Sequence, residues 1–131
     1  MPPARVLVVD DEESIRGFVA EALKMDDLDV ESARDGLDAM GRLEEQWYDL
    51  VVSDLRMPRL DGVGLYREVE RRWPGSGRRL LFISGSTVLP DYEPFLREVH
   101  PVVIEKPFGL EELRRTVRRM LREATPGSSE R

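Results

Sequence analysis

The sequence contains no cysteine and a single histidine, His100. Without cysteine there can be no disulfide scaffold, no thiol nucleophile and no thiolate zinc site. His100 precedes Pro101 and has no phosphodonor context, so it reads as an ordinary loop or surface residue. No apolar run approaches the roughly 18 residues of a membrane span, and Met1-Pro2-Pro3-Ala4-Arg5 leads into a strand-like stretch rather than a secretory signal. A cytoplasmic protein without membrane attachment is the expectation. Lysine is nearly missing too: 18 of the 20 basic residues are arginine, leaving Lys24 and Lys106. A chain that almost always uses Arg can have a chemical reason for a Lys, a compact point charge rather than a planar fork.

What is present suits one domain of 131 residues, 40% apolar and 35% charged, enough to bury a core beneath a solvated surface. Charge is uneven. Residues 1–61 hold 16 acids and 7 bases, whereas residues 62–131 hold 13 bases and 10 acids. The acidic half argues against a nucleic-acid surface there and is compatible with a cation site.

Short apolar runs alternate with amphipathic stretches. Arg5–Asp10, Leu28–Ala33, Asp49–Asp54, Arg79–Ser84 and Pro101–Glu105 read as strands, most of them near-continuously apolar. Helical spacing predicts helices over Glu12–Met25, from Leu37 to about Gln46, from Val63 to Trp73, and from Leu110 to Leu121. Pro90 and Pro94 leave room only for a short helix around Pro94–Val99. Such alternation predicts an α/β fold: a (βα)5, doubly wound, parallel five-stranded sheet covered on both faces. Ligands of such sheets bind outside the carboxyl ends of the strands, near the point where strand order reverses. The expected domain spans residues 5–122, with 1–4 and 123–131 as flexible termini.

The strand ends carry a coherent set of groups. The first strand ends at Asp10-Asp11, the third at Asp54, the fourth at Ser84 and the fifth at Lys106-Pro107. One such Asp could simply cap a helix or loop. Three carboxylates at one mouth instead require counterions, which Mg²⁺ (or Mn²⁺) and the Lys106 ammonium would supply. Mg²⁺ prefers hard oxygen ligands and usually accompanies phosphate chemistry. A carboxylate beside a metal and a lysine is a plausible nucleophile for phosphorus, forming an aspartyl phosphate; phosphoryl transfer needs mainly positioning and charge neutralisation.

The blocks Val8-Val9-Asp10-Asp11-Glu12, Asp54-Leu55-Arg56-Met57-Pro58 with Asp61-Gly62, Ile83-Ser84-Gly85 and Lys106-Pro107-Phe108 resemble the receiver (CheY-like) domain of bacterial two-component response regulators. The resemblance covers residues 5 to about 122. It implies a flavodoxin-like sheet of order 2-1-3-4-5, with Asp54 accepting a phosphoryl group from a histidine kinase, a phosphotransfer protein or a small phosphodonor. It further implies Mg²⁺ held by Asp10, Asp11, Asp54 and the Arg56 backbone carbonyl. Ser84 would be the switch hydroxyl with room left by Gly85, Lys106 would pair with the phosphate, and Lys106-Pro107 would be a cis peptide.

This chain departs from the family where many members place Tyr or Phe three residues before the lysine: here that position is Val103. The segment from Phe95 through Glu105 to Phe108 resembles receivers fused to hybrid sensor kinases. Arg56 and Ser86, two residues beyond Asp54 and Ser84, are expected to flank the incoming water and tune hydrolysis. Arg114, Arg115, Arg118, Arg119 and Arg122 read as a solvated face paired with Glu111 and Glu112. Trp47-Tyr48 and Trp73-Pro74 read as packing at the edge of the core. With 131 residues filled by such a domain, output is expected through another protein, or through a homodimer of the fourth helix, fifth strand and fifth helix, without direct nucleic-acid binding. Two other classes compete. A metal-dependent phosphatase of the haloacid-dehalogenase type would need Asp-x-Asp after the first strand, where this chain has Asp10-Asp11-Glu12. A flavodoxin-like cofactor binder would need a Ser/Thr/Gly-rich phosphate loop in place of those carboxylates.

Overall fold

A computed structural model describes residues 3–124. In chain order the elements are β1 (Arg5–Val9), α1 (Glu13–Lys24), β2 (Asp29–Ala33), α2 (Gly36–Glu45), β3 (Leu50–Asp54), α3 (Gly62–Arg72), β4 (Leu80–Gly85), α4 (Glu93–Val99), β5 (Val102–Lys106) and α5 (Leu110–Ala124), with 3₁₀ turns at Ser76–Arg79 and Leu89–Tyr92. The strands form one parallel sheet, β2-β1-β3-β4-β5, as expected. Pro90 and Pro94 both sit in opening turns, where the missing N–H breaks no helical bond. That is why the 85–100 stretch holds a 3₁₀ turn and only two turns of α4.

Alternation of side chains divides each strand between two cores. Leu7, Val9, Val51, Leu80 and Phe82 face α2, α3 and α4, joined there by Ala39, Met40, Leu65, Val69 and Phe95. Val6, Val8, Leu50, Val52, Leu81, Ile83 and Ile104 face α1 and α5, against Val19, Leu23, Leu113 and Val117. Both faces of the central strands are therefore covered, which explains their continuous apolar runs.

Caps fix where the helices begin. The Asp35 carboxylate accepts from the Asp38 N–H at 2.9 Å and starts α2; that of Asp61 accepts from the Gly64 N–H at 2.8 Å and starts α3. α1 begins at Glu13 rather than Glu12, which is extended and makes no side-chain cap. β4 runs one residue past Ser84 to Gly85, and β5 is shifted by one from its expected span. α5 continues to Ala124, beyond the expected boundary at 122. Residues 1, 2 and 125–131 of the expected termini lie outside the described residues.

The basic face of α5 differs from expectation. Arg114 pairs with Glu111, yet it also reaches Asp26, at 2.6 Å, and Arg118 joins the same carboxylate at 3.2 Å. Two of the arginines thus tie α5 to the turn after α1 instead of forming only helix-surface pairs.

Candidate functional site

Strand order reverses between β1 and β3, and the two acidic strand ends lie side by side there. Asp10 is 3% exposed and Asp54 8%. Carboxylate oxygens of Asp10, Asp11 and Asp54 all fall within 4.8 Å of one another. Asp10 is held from several directions: its Oδ1 accepts the Glu12 N–H at 2.9 Å, its carbonyl accepts from Arg16 at 2.8 Å, and its own N–H donates to Ala33. Asp11 is exposed. The N-cap of α1 is Glu12, which makes no side-chain cap bond.

Opposite these acids stands Lys106, whose Nζ lies 3.3 Å from Asp54 Oδ2. The Arg56 N–H points to Asp54 Oδ1 at 3.4 Å. The approach of α3 to this loop is close: a Cβ at Gly62 would come within 2.6 Å of the Asp54 carbonyl oxygen, so only glycine fits. Ser84 is fully buried, and its Oγ has no hydrogen-bond partner. A Cβ at Gly85 would meet nothing within 4 Å, so space lies open beside Ser84. The Lys106-Pro107 peptide is cis.

Burial dominates the electrostatics. It pushes the Asp10 carboxyl up to about 6, aided by the charges of Asp54 and Asp11 and opposed by the Glu12 N–H and Lys106. Asp54 is raised by burial as well, against the pull of Lys106. Three clustered carboxylates facing one ammonium are short of positive charge. Their hard oxygen donors suit a divalent cation such as Mg²⁺, and the orphaned Ser84 hydroxyl is a donor waiting for an acceptor.

The sequence matches the response regulator receiver domain family over residues 6–118. The chain belongs to that family. Response regulator MprA of Mycolicibacterium vanbaalenii is 34% identical over 124 residues, which is 95% of this chain and 53% of that protein. The receiver domain of NtrX from Brucella abortus superposes with a TM-score of 0.79 at 30% identity, over 89% of this chain and 98% of that one. Chemotaxis protein CheY4 of Vibrio cholerae gives 0.79 at 28% identity, over 90% and 98%. The chain is therefore a signalling receiver of the two-component type, a class that works with histidine kinases, rather than a metabolic enzyme. It spans about half the length of the curated relatives it matches. Among the described residues no helix is long and apolar enough to cross a membrane.

Asp10, Asp11, Asp54, Ser84, Gly85 and Lys106 all gather at this mouth. Val103 does not: it lies half-buried on β5, opposite Phe82, packed against the α3–α4 core. The Arg56 side chain swings away from Asp54 to an ion pair with Asp91, over the Tyr92 ring. Ser86 is exposed in the turn after β4. Sequence reasoning missed Asp91 and Tyr92, whose phenol donates to Asp61 at 3.1 Å. Their partners are 31 or 35 residues away, and no periodicity announces such pairs.

Beside Lys106 a shallow cleft of about 550 Å³ runs between α1 and the loops after β4 and β5. Phe18, exposed on α1, meets Phe108 there with ring centroids 5.9 Å apart.

Proposed function

We propose that Asp54 is the phosphoacceptor of a cytoplasmic phosphorelay unit spanning residues 5–122. The observation that carries this reading is the placing of its carboxylate between the Lys106 ammonium, at 3.3 Å, and the Asp10–Asp11 pair. An Asp54 oxygen forms the bond to phosphorus while the bond to the donor breaks. With a phosphohistidine the electron pair leaves on the imidazole nitrogen; with acetyl phosphate it leaves on the acetate oxygen. Asp10, Asp11, Asp54 and the Arg56 carbonyl would hold Mg²⁺ or Mn²⁺. When bound, that cation neutralises charge on the phosphoryl oxygens and orients them for in-line transfer.

Lys106 exchanges its contact with Asp54 for one with a phosphoryl oxygen. The Ser84 hydroxyl, lacking a partner, donates to another, and the space at Gly85 accommodates the group. This movement pulls the turn after β4 and alters how the chain binds its partners. Val103 has no ring to rotate, so the signal leaves through the 3₁₀ turn and α4 instead. Candidate receivers of that signal are a downstream protein or a second copy of the chain on the α4–β5–α5 face. The cleft beside Lys106, with its exposed Phe18, suits the helix of a kinase or phosphotransfer protein. Water ends the cycle by attacking phosphorus, releasing inorganic phosphate and the free carboxylate, with Arg56 and Ser86 beside its path.

Incubation with acetyl phosphate and Mg²⁺ should add one phosphoryl group to the intact mass, and Asp54→Asn should abolish it. An adduct of equal yield in Asp54→Asn would refute the assignment.

A further inference from the structure

At the opposite pole from Asp54, the C-terminal ends of α2 and α3 and the Ser76–Arg79 turn border a partly open cavity of about 130 Å³. Leu43, Val51, Val69 and Leu80 give it an apolar lining. Both tryptophans of the chain flank it, and they are among its most exposed large apolar groups: Trp47 is 57% exposed and Trp73 36%. A cavity of about 150 Å³ with aliphatic walls takes one benzene ring, so this one has room for a single ring.

Arg79 supplies the polar element. Its guanidinium lies 3.7 Å from the centroid of the Trp47 ring, and Nη1 donates to Ser76 Oγ at 3.0 Å. Of its five N–H donors only that one meets an acceptor, and among the described residues no carboxylate forms an ion pair with it. Asp49, whose charge acts on it from further off, is engaged by the Trp47 indole N–H at 3.2 Å and the Arg5 N–H at 2.8 Å. Burial, with help from Arg78, lowers the Arg79 pKa. Most arginines of this chain are paired: Arg42, Arg59, Arg72, Arg97 and Arg114 each meet a carboxylate. Arg79 is a half-buried cation stacked on an indole, at the rim of an apolar cavity, and among the described residues it has no ion-pair partner.

We propose that this pocket is a binding site for a small carboxylate carrying one aromatic ring. The ring lies between the two indoles on the aliphatic lining, and the carboxylate accepts from the remaining guanidinium N–H groups. An Arg–carboxylate pair is strong because two N–H donors match two oxygens, and an apolar pocket with one convergent polar group is the usual form of a small-molecule site. A neutral ligand would leave the cation uncompensated. A phosphate would match the charge and waste the lining.

Both tryptophans border the site, so each indole N–H resonance reports on it. Phenylacetate, titrated into ¹⁵N-labelled protein, should shift both indole cross-peaks along one saturable curve. Phenylacetamide, equal in shape and uncharged, should bind about tenfold more weakly or less well still. Arg79→Gln should reduce phenylacetate to the level of the amide, while phosphorylation at Asp54 by acetyl phosphate persists and certifies the fold. Absence of a saturable shift with the wild-type protein, equal affinity for acid and amide, or full phenylacetate affinity in Arg79→Gln would each overturn the proposal.

Discussion

The phenol of Tyr92 donates to Asp61 across 3.1 Å, and so anchors the 3₁₀ turn before α4 onto the residue that caps α3. Next to it, Asp91 of the same turn grips Arg56, two residues past Asp54. The segment that follows Ser84 is thus tied twice to the loop that follows Asp54.

Tyr92→Phe deletes one of those ties and leaves Asp61 capping Gly64. The loss should be about 1 kcal/mol, the usual net value of one hydrogen bond, read from the urea midpoint. The variant should also need less phosphorylation for partner binding, because the turn is already released.

The second tie bears on phosphoryl lifetime. Arg56→Ala removes a long side chain that can shield the phosphoryl group only when it leaves Asp91, and should speed loss of phosphate from Asp54 several-fold. Asp91→Asn frees the guanidinium to approach the phosphoryl group and should slow it. An unchanged rate in both variants would show that Arg56 has no part in hydrolysis.

Ser84→Ala removes a buried hydroxyl without a partner. An unsatisfied buried polar group costs about 1–3 kcal/mol, so the unphosphorylated variant should be no less stable than the wild type, and up to ~1 kcal/mol more stable in thermal unfolding. Its response to phosphorylation should be lost.

Asp10 couples the fold to pH. Its folded pKa, about 6, stands above the unfolded value of 3.8, so the native state binds the extra proton between those values. Metal-free protein should therefore gain stability as pH falls from 7 towards 5, by an amount on the order of 1–3 kcal/mol. Asp10→Asn, measured by urea unfolding with chelator present, should match that gain at pH 7 and flatten the pH dependence. Added Mg²⁺ should stabilise the wild type and do little for the variant.

Asp26 works in the other direction. Hydrogen bonding to Arg114, with help from Arg118, holds its carboxyl below the ordinary range. The stability it supplies is complete above the unfolded pKa and is lost as pH falls through the folded one. Asp26→Asn should cost about 1–2 kcal/mol at pH 7 and less as acid protonates the wild-type carboxylate, as followed by acid unfolding.

The sequence by itself determined the sheet and its mouth. Near-continuous apolar runs such as Leu50–Val52 and Leu80–Ile83 require cover on both faces, and polar groups can follow them only at an edge; hence Asp10, Asp54, Ser84 and Lys106 could be placed together without coordinates. These are signals of period and position, carried by neighbouring residues. Tertiary structure alone decided the rest. That Arg56 meets Asp91, that Tyr92 reaches Asp61, that Arg114 and Arg118 share Asp26, and that Trp47, Trp73 and Arg79 border one cavity depends on how loops and helix ends approach across the sheet. Long charged side chains can choose among many partners, and packing geometry makes the choice.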